Sequence, residues 1–220
     1  MPRVAVCLSG CGVFDGSEIH EAVLTLLALD QAGAQIVCCA PNVDQAGVTN
    51  HLHRSAATSE RRNVLVESAR IARGDITDLA RLRTADVDAI IFPGGYGAAT
   101  NLSTFGQDGA ECRVNGDVER VVKEMLAAHK PIGVICIAPA MLARIVGRQA
   151  PGAKLTIGTD RDTAVAVERM GATHVACAVS GIVVDEKNRI VSTPAYMLGK
   201  GPAEVFEGIR KLVGEVLRLC

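Results

Sequence analysis

Along the chain, short apolar runs alternate with longer segments in which apolar positions recur every three or four residues, the signature of βαβ units around a mostly parallel sheet. Arg3-Val-Ala-Val-Cys-Leu-Ser9 predicts a first strand. Ile19, Val23, Leu26, Leu27 and Asp30 then fall at helical spacing between a Ser17 N-cap and Gly33. Gln35 to Ala40 reads as a second strand stopped by Pro41, and Asp88 to Phe92 as a third that runs into Pro93-Gly-Gly-Tyr-Gly97. Asp117 to His129 predicts a helix. The apolar run Lys130-Pro-Ile-Gly-Val-Ile-Cys136 follows, with a helical pattern from Pro139 to Val146 directly after it. Beyond it come a short strand at Lys154 to Ile157, a helix at Asp162 to Met170 closed by Gly171, and a hairpin with a polar turn at Ile182 to Ser192. A C-terminal helix at Pro202 to Leu219 opens on its proline. Residues 42 to 86 are less regular. They hold a basic and polar stretch (His51 to Arg62), a helical segment near Asn63 to Arg73 and a turn or short helix at Asp78 to Arg83, and read as an insertion decorating the core. No repeat is evident.

With 220 residues, 49% of them hydrophobic, and no low-complexity linker, the chain can bury a sizeable core as one α/β domain spanning residues 1–220. A formal net charge of -1 leaves no electrostatic footprint for nucleic acid or an anionic membrane, so neither is an expected partner. The N-terminus enters the first strand pattern without a basic n-region, and no sufficiently long apolar span follows. The expectation is a soluble, cytoplasmic protein. Of its 8 cysteines, several lie inside strand-like runs of a chain too long to need disulfide staples, which predicts reduced thiols and an exposed Cys220.

The candidate chemistry centres on Cys136. An apolar run that ends in a cysteine just before a helix has the layout of a nucleophile elbow, where the helix's open N–H groups and dipole favour a thiolate. The alternative is an apolar residue ending a buried strand. The glycines at 94, 95 and 97 suit either an oxyanion hole or an ordinary turn, and they lack both the Lys-Ser/Thr of a P-loop and the spacing of a dinucleotide fingerprint. No histidine follows the cysteine, where Ile137 stands, and His174 lies in a strand-like segment with no acid beside it. Glu18 and Glu21, at the start of the first helix, are therefore the acid/base candidates, with N-terminal capping as the plainer role for each. His20, one step from Glu21, should face away from it toward the surface or an interface. Glu111 and Cys112, in the loop after the glycines, are candidate pocket residues. Cys7, Cys11, Cys38 and Cys39 sit in or beside strands rather than in the turns that present zinc ligand pairs, so no metal site is expected.

Six segments in order make a more specific pattern. They are Ser9-Gly-Cys-Gly-Val-Phe-Asp-Gly-Ser-Glu-Ile-His-Glu21, Pro93-Gly-Gly-Tyr-Gly97, Gly109-Ala-Glu-Cys112, Cys136-Ile-Ala-Pro-Ala-Met141, Leu155-Thr-Ile-Gly-Thr-Asp160 and Ser192-Thr-Pro-Ala-Tyr-Met197. Together they resemble the ElbB glyoxalase family of the PfpI-type, class I glutamine amidotransferase-like superfamily, over essentially the whole chain. The resemblance implies a flavodoxin-like, three-layer α/β sandwich with a mostly parallel central sheet and a nucleophile elbow, usually a homodimer. It also implies a cysteine hydrogen-bonded to a glutamate of the first helix. Counted back from Gly33, Glu21 matches that glutamate and Glu18 is the second choice. Gly94 and Gly95 are similar to the superfamily's oxyanion loop, working with the Ile137 N–H. The absent histidine is a departure that argues against amidotransferase and protease activity.

The activity implied is that of a glutathione-independent glyoxalase, a hydro-lyase with no cofactor. Cys136 adds to one aldehyde of glyoxal or a similar small 2-oxoaldehyde, and the oxyanion is held by Gly95 and Ile137. Glu21, kept protonated at rest by its contact with the sulfur and by partial burial, moves a proton between the two carbons through an enediol, and water releases glycolate from the resulting thioester. Deglycation of amines is a variant of the same chemistry. Two other classes remain open: a cysteine-based redox sensor, and a non-catalytic regulator linked to isoprenoid metabolism.

Overall fold

The computed structural model describes residues 1–220. The first half of the chain runs β1 (Arg3–Cys7), α1 (Ile19–Gln31), β2 (Gln35–Ala40), the short strands β3 (Thr49–Asn50) and β4 (Ser55–Ala56), α2 (Val64–Ile71), β5 (Thr77–Asp78), β6 (Ala89–Phe92), α3 (Tyr96–Thr100) and α4 (Phe105–Asp108). The second half continues with α5 (Gly116–Ala127), β7 (Ile132–Ile135), α6 (Ala138–Gln149), β8 (Lys154–Leu155), α7 (Arg161–Arg169), β9 (Thr173–His174), β10 (Val183–Asp185), β11 (Ile190–Thr193) and α8 (Pro202–Leu219).

Seven strands form the central sheet in the order β10-β11-β7-β6-β1-β2-β5. Every neighbouring pair is parallel except the β10/β11 hairpin. Successive side chains of a strand point to opposite faces, and both faces are covered, so the central strands are apolar throughout. Val4 and Val6 of β1 and Ile91 of β6 pack toward α1 and α8, where Leu29, Ile209, Leu212 and Val216 meet them. Ala5, Cys7, Ile90, Phe92, Ile132 and Val134 pack toward α5 and α6, against Val121, Met125, Leu142 and Val146. Helix–sheet–helix layering in this strand order is the flavodoxin-like, class I glutamine amidotransferase-like sandwich. Gly133 sits where α8 crosses β7. A Cβ there would lie 3.0 Å from Ile91 Cγ1 and 3.1 Å from Leu212 Cδ2.

The chain leaves β1 for β2 on one side and returns to β6 on the other. The crevice at that switch point lies beyond the carboxyl ends of the strands, where α/β sheets bind ligands. The segment 42 to 86 proves to be two different things. Only residues 42 to 63 decorate the core. The α2 helix is the crossover to β5, which extends the main sheet parallel to β2, and Val64 joins the buried core. The short helices α3 and α4, absent from the sequence reading, fill the span between the glycines and α5; at four or five residues they carry too little periodicity to see.

Candidate active site

Cys136 stands between β7 and α6 with φ +63°, a left-handed conformation that costs an ordinary residue about 1 kcal/mol or more. The surroundings hold it there. Its N–H donates to Thr193 O of the neighbouring β11 at 2.9 Å, and α6 begins two residues later with Pro139 in its first turn. Ile137, the N-cap, offers no side-chain acceptor to the helix's open N–H groups. The Ile137 and Gly95 N–H groups instead reach the Cys136 sulfur.

Gly95 supplies its N–H from a turn that only glycine can make. Its φ is +94°, and a Cβ would run into the backbone of Glu18 and Gly16. At Gly94 a Cβ would run into Cys136 Cβ and lie 2.6 Å from Glu21 Oε2. The loop of residues 10 to 17 is locked beneath this turn: Tyr96 N–H donates to Val13 O and Gly97 N–H to Gly16 O, each at 2.8 Å.

Glu21 is fully buried on α1. Its Oε2 accepts from Gly94 N–H at 3.0 Å and its Oε1 from Tyr196 N–H at 3.1 Å, while the side chain also pairs with the Cys136 sulfur. Desolvation pushes its pKa up to about 8 against the lowering pull of those contacts. Burial thus keeps Glu21 protonated, and the sulfur contact works in the opposite direction from the one expected. The Cys136 pKa is likewise raised, first by burial and then by the Glu21 charge. These outweigh the Gly95 and Ile137 N–H groups, so the thiolate expected from the elbow pattern alone is not the resting form.

Glu18, not Ser17, caps α1: its Oε2 accepts from Glu21 N–H at 2.7 Å. Ser17 instead turns inward, and its Oγ accepts from Ser9 N–H at 2.8 Å. His20 is exposed and faces away from Glu21, but its Nδ1 lies 2.7 Å from the Tyr196 hydroxyl. Tyr196 was missed as a contributor because it acts through its backbone N–H, aimed by Ala195 at φ +44°; a main-chain donor has no residue-type signature. Its one signal was its place in the Ser192–Met197 segment.

Cys136 opens onto a cavity of about 470 Å³ lined mainly by apolar side chains from four segments: Val13; Tyr96, Ala99 and Phe105; Ile137; and Met197. Glu18, Asp160 and Tyr196 also line it. Asp160 caps α7, and hydrogen bonds from Thr163 hold its carboxyl below the usual range. Glu111 and Cys112 do not reach this cavity. Glu111 is exposed near Arg169, and Cys112 is buried beneath α6 at the edge of a separate cleft with Arg144 and Arg148. His174 lies on β9, with Ile157 N–H 3.4 Å from its Nε2. No three His, Cys, Asp or Glu side chains converge as a metal site, and Cys7 and Cys39 are paired in register inside the core. No helix is long and apolar enough to cross a membrane.

No protein-family model matches the chain. It is 47% identical over 226 residues to the "ES1 protein homolog, mitochondrial" of Rattus norvegicus, covering 99% of this chain and 84% of that protein. It is also 47% identical to the human "Glutamine amidotransferase-like class 1 domain-containing protein 3, mitochondrial", covering 99% and 83%. Among solved structures, an isoprenoid biosynthesis protein with an amidotransferase-like domain from Ehrlichia chaffeensis matches with a TM-score of 0.93 and 38% identity over 100% of this chain and 99% of that one. Glyoxalase III of Candida albicans, at 14% identity and a TM-score of 0.63 over 99% and 97%, shares the fold. The expectation of a cytoplasmic protein is overturned by the mitochondrial names of these relatives. It rested on a first strand pattern with no basic n-region ahead of it and on the lack of a long apolar span, features that bear on secretion and membrane crossing and not on which internal compartment holds a chain.

Proposed function

We propose that this chain, which belongs to the family of the ES1 proteins and glutamine amidotransferase-like class 1 domain-containing protein 3, is a glutathione-independent glyoxalase of the ElbB type. The observation that carries this reading is the buried Glu21 set against the Cys136 sulfur, with the Gly95 and Ile137 N–H groups on the same atom. A thiol, an acid titrating near 8 and two backbone donors are what an internal redox of a 2-oxoaldehyde needs.

The pair first gives up one of its two protons. Cys136 sulfur then bonds to one aldehyde carbon of glyoxal, and the carbonyl π electrons move to the oxygen, which the Gly95 and Ile137 N–H groups hold as a hemithioacetal forms. Glu21 carboxylate takes the proton from that carbon, leaving an enediol, and returns it to the neighbouring carbon. The first carbon is thereby oxidised to a thioester and the second reduced to a carbinol. Water adds to the thioester, the C–S bond breaks, and glycolate leaves with the thiol restored. Glyoxal and one water account for every atom of glycolate and its proton, so the cysteine takes the place of glutathione.

A redox-sensor role would use the same thiol, and stoichiometric oxidation with negligible turnover would favour it. A regulator linked to isoprenoid metabolism draws support from the name of the Ehrlichia chaffeensis protein, and a Cys136→Ser variant with full biological effect would favour it. Deglycation uses the same steps on an amine-bound aldehyde. The homodimer is supported by Ile19, Val23 and Leu27, an apolar stripe at helical spacing on α1 whose members are each at least 40% exposed.

The deciding experiment is glycolate formation from glyoxal, followed by proton NMR without glutathione. Wild type is expected to turn over, and folded Cys136→Ala and Glu21→Gln to be inactive. Equal traces for all three and for buffer would refute the enzyme reading.

A further inference from the structure

The cavity above Cys136 is far larger than glyoxal needs. Its volume of about 470 Å³ compares with roughly two to three water volumes of ~30 Å³ for a dialdehyde of four heavy atoms. Chemistry at the sulfur would leave most of that space filled with water, against a wall built from Val13, Tyr96, Ala99, Phe105, Ile137 and Met197. Apolar surface facing unclaimed volume is where binding energy for a larger substrate is available.

The charges point the same way. No lysine, arginine or histidine lines the cavity, while the carboxylates of Glu18 and Asp160 do. Asp160 is held in its charged form by the Thr163 hydrogen bonds. A substrate carrying a phosphate or carboxylate would find no counter-ion there and two like charges. This differs from the cleft at Cys112, which Arg113, Arg144 and Arg148 line.

Resting on the glyoxalase reading, we infer that the site's preferred substrates are uncharged 2-oxoaldehydes with an apolar body filling the Phe105–Met197 side of the cavity, and that anionic 2-oxoaldehydes are rejected. The reaction at the sulfur is unchanged: a ketone of this kind is reduced to the carbinol as its aldehyde is oxidised, so phenylglyoxal and water give mandelate.

The test compares kcat/KM of the wild type for glyoxal, phenylglyoxal and 4-carboxyphenylglyoxal. Phenylglyoxal is expected to exceed glyoxal by about 10- to 100-fold, and the carboxylated compound to fall at least about tenfold below phenylglyoxal. Asp160→Asn, which keeps a good N-cap, is expected to narrow the gap between the two aromatic substrates. Turnover of glyoxal with no gain for phenylglyoxal would overturn this inference and leave the glyoxalase reading intact. Equal rates for the two aromatic compounds would overturn the charge selection. If the folded protein turns over none of the three, the glyoxalase reading fails and this inference falls with it.

Discussion

Two adjacent strand ends both turn through a positive φ, for opposite reasons. After β6 the chain reverses through Gly95 at φ +94° into α3, and after β7 through Cys136 at φ +63° into α6. At Gly95 the residue is there for what it lacks, since a Cβ would strike the backbone of Glu18 and Gly16. At Cys136 the side chain is kept despite the conformational cost, and the backbone is held by its N–H donating to Thr193 O. A left-handed residue at a strand end thus has two readings. Only the neighbours tell a space requirement from a side chain held in place for use.

The sharpest way to break the contrast is Gly95→Ala. A side chain in that conformation against fixed backbone should cost about 4 kcal/mol or more, read as a large drop in denaturation midpoint together with lost activity. A near-neutral result would mean that the turn relaxes and that its N–H is not fixed by the Gly10–Ser17 loop.

Next in size is the Glu21 proton. Its folded-state pKa of about 8 lies above the ordinary 4.5, so between those values the unfolded chain has released a proton that the folded protein keeps. Stability therefore falls as pH rises through that window. The cost is absent below about 4.5 and reaches about 3 kcal/mol at pH 7. Urea melts of wild type and Glu21→Gln from pH 5 to 8 should show a steep decline only for the wild type. The variant should be the less stable at pH 5, where its amide NH2 faces a backbone N–H, and the more stable at pH 8. Parallel curves would remove Glu21 as the buried titrating group. Because one proton must leave the pair before attack, wild-type kcat/KM should also climb toward pH 8; a flat profile from pH 6 to 9 would contradict that step.

A smaller effect separates strain from chemistry at the elbow itself. Cys136→Gly and Cys136→Ala both lack the thiol, but glycine accepts φ +63° freely, so the glycine variant should be about 1 kcal/mol the more stable. Equal stabilities would mean that the turn is not strained. Smallest is Tyr196→Phe, which removes only the hydroxyl near His20 and should shift stability by less than about 1 kcal/mol, because Glu21 is held by the Tyr196 backbone N–H.

The alternation of elements, the strand ahead of Cys136, the hairpin at 182 to 192 and the glycines opposite the elbow were all legible in the chain. Each is written in local periodicity or in a residue type with one conformational use, and such signals survive without knowing what lies across the core. Six ordered segments also pointed to the superfamily. The resemblance ranked Glu21 ahead of Glu18 beside the sulfur, while residue type left both open, and packing across the core puts Glu21 there. Glu18 and Glu21 share a helix's first turn, and burial, not residue type, leaves one as a cap and makes the other an acid near pH 8. Only the tertiary structure decided that Cys136 rests as a thiol, that Glu111 and Cys112 lie elsewhere, and that residues 64 to 78 complete the sheet. Those outcomes depend on desolvation and on contacts between segments far apart in the chain, and neither quantity exists until the chain has folded.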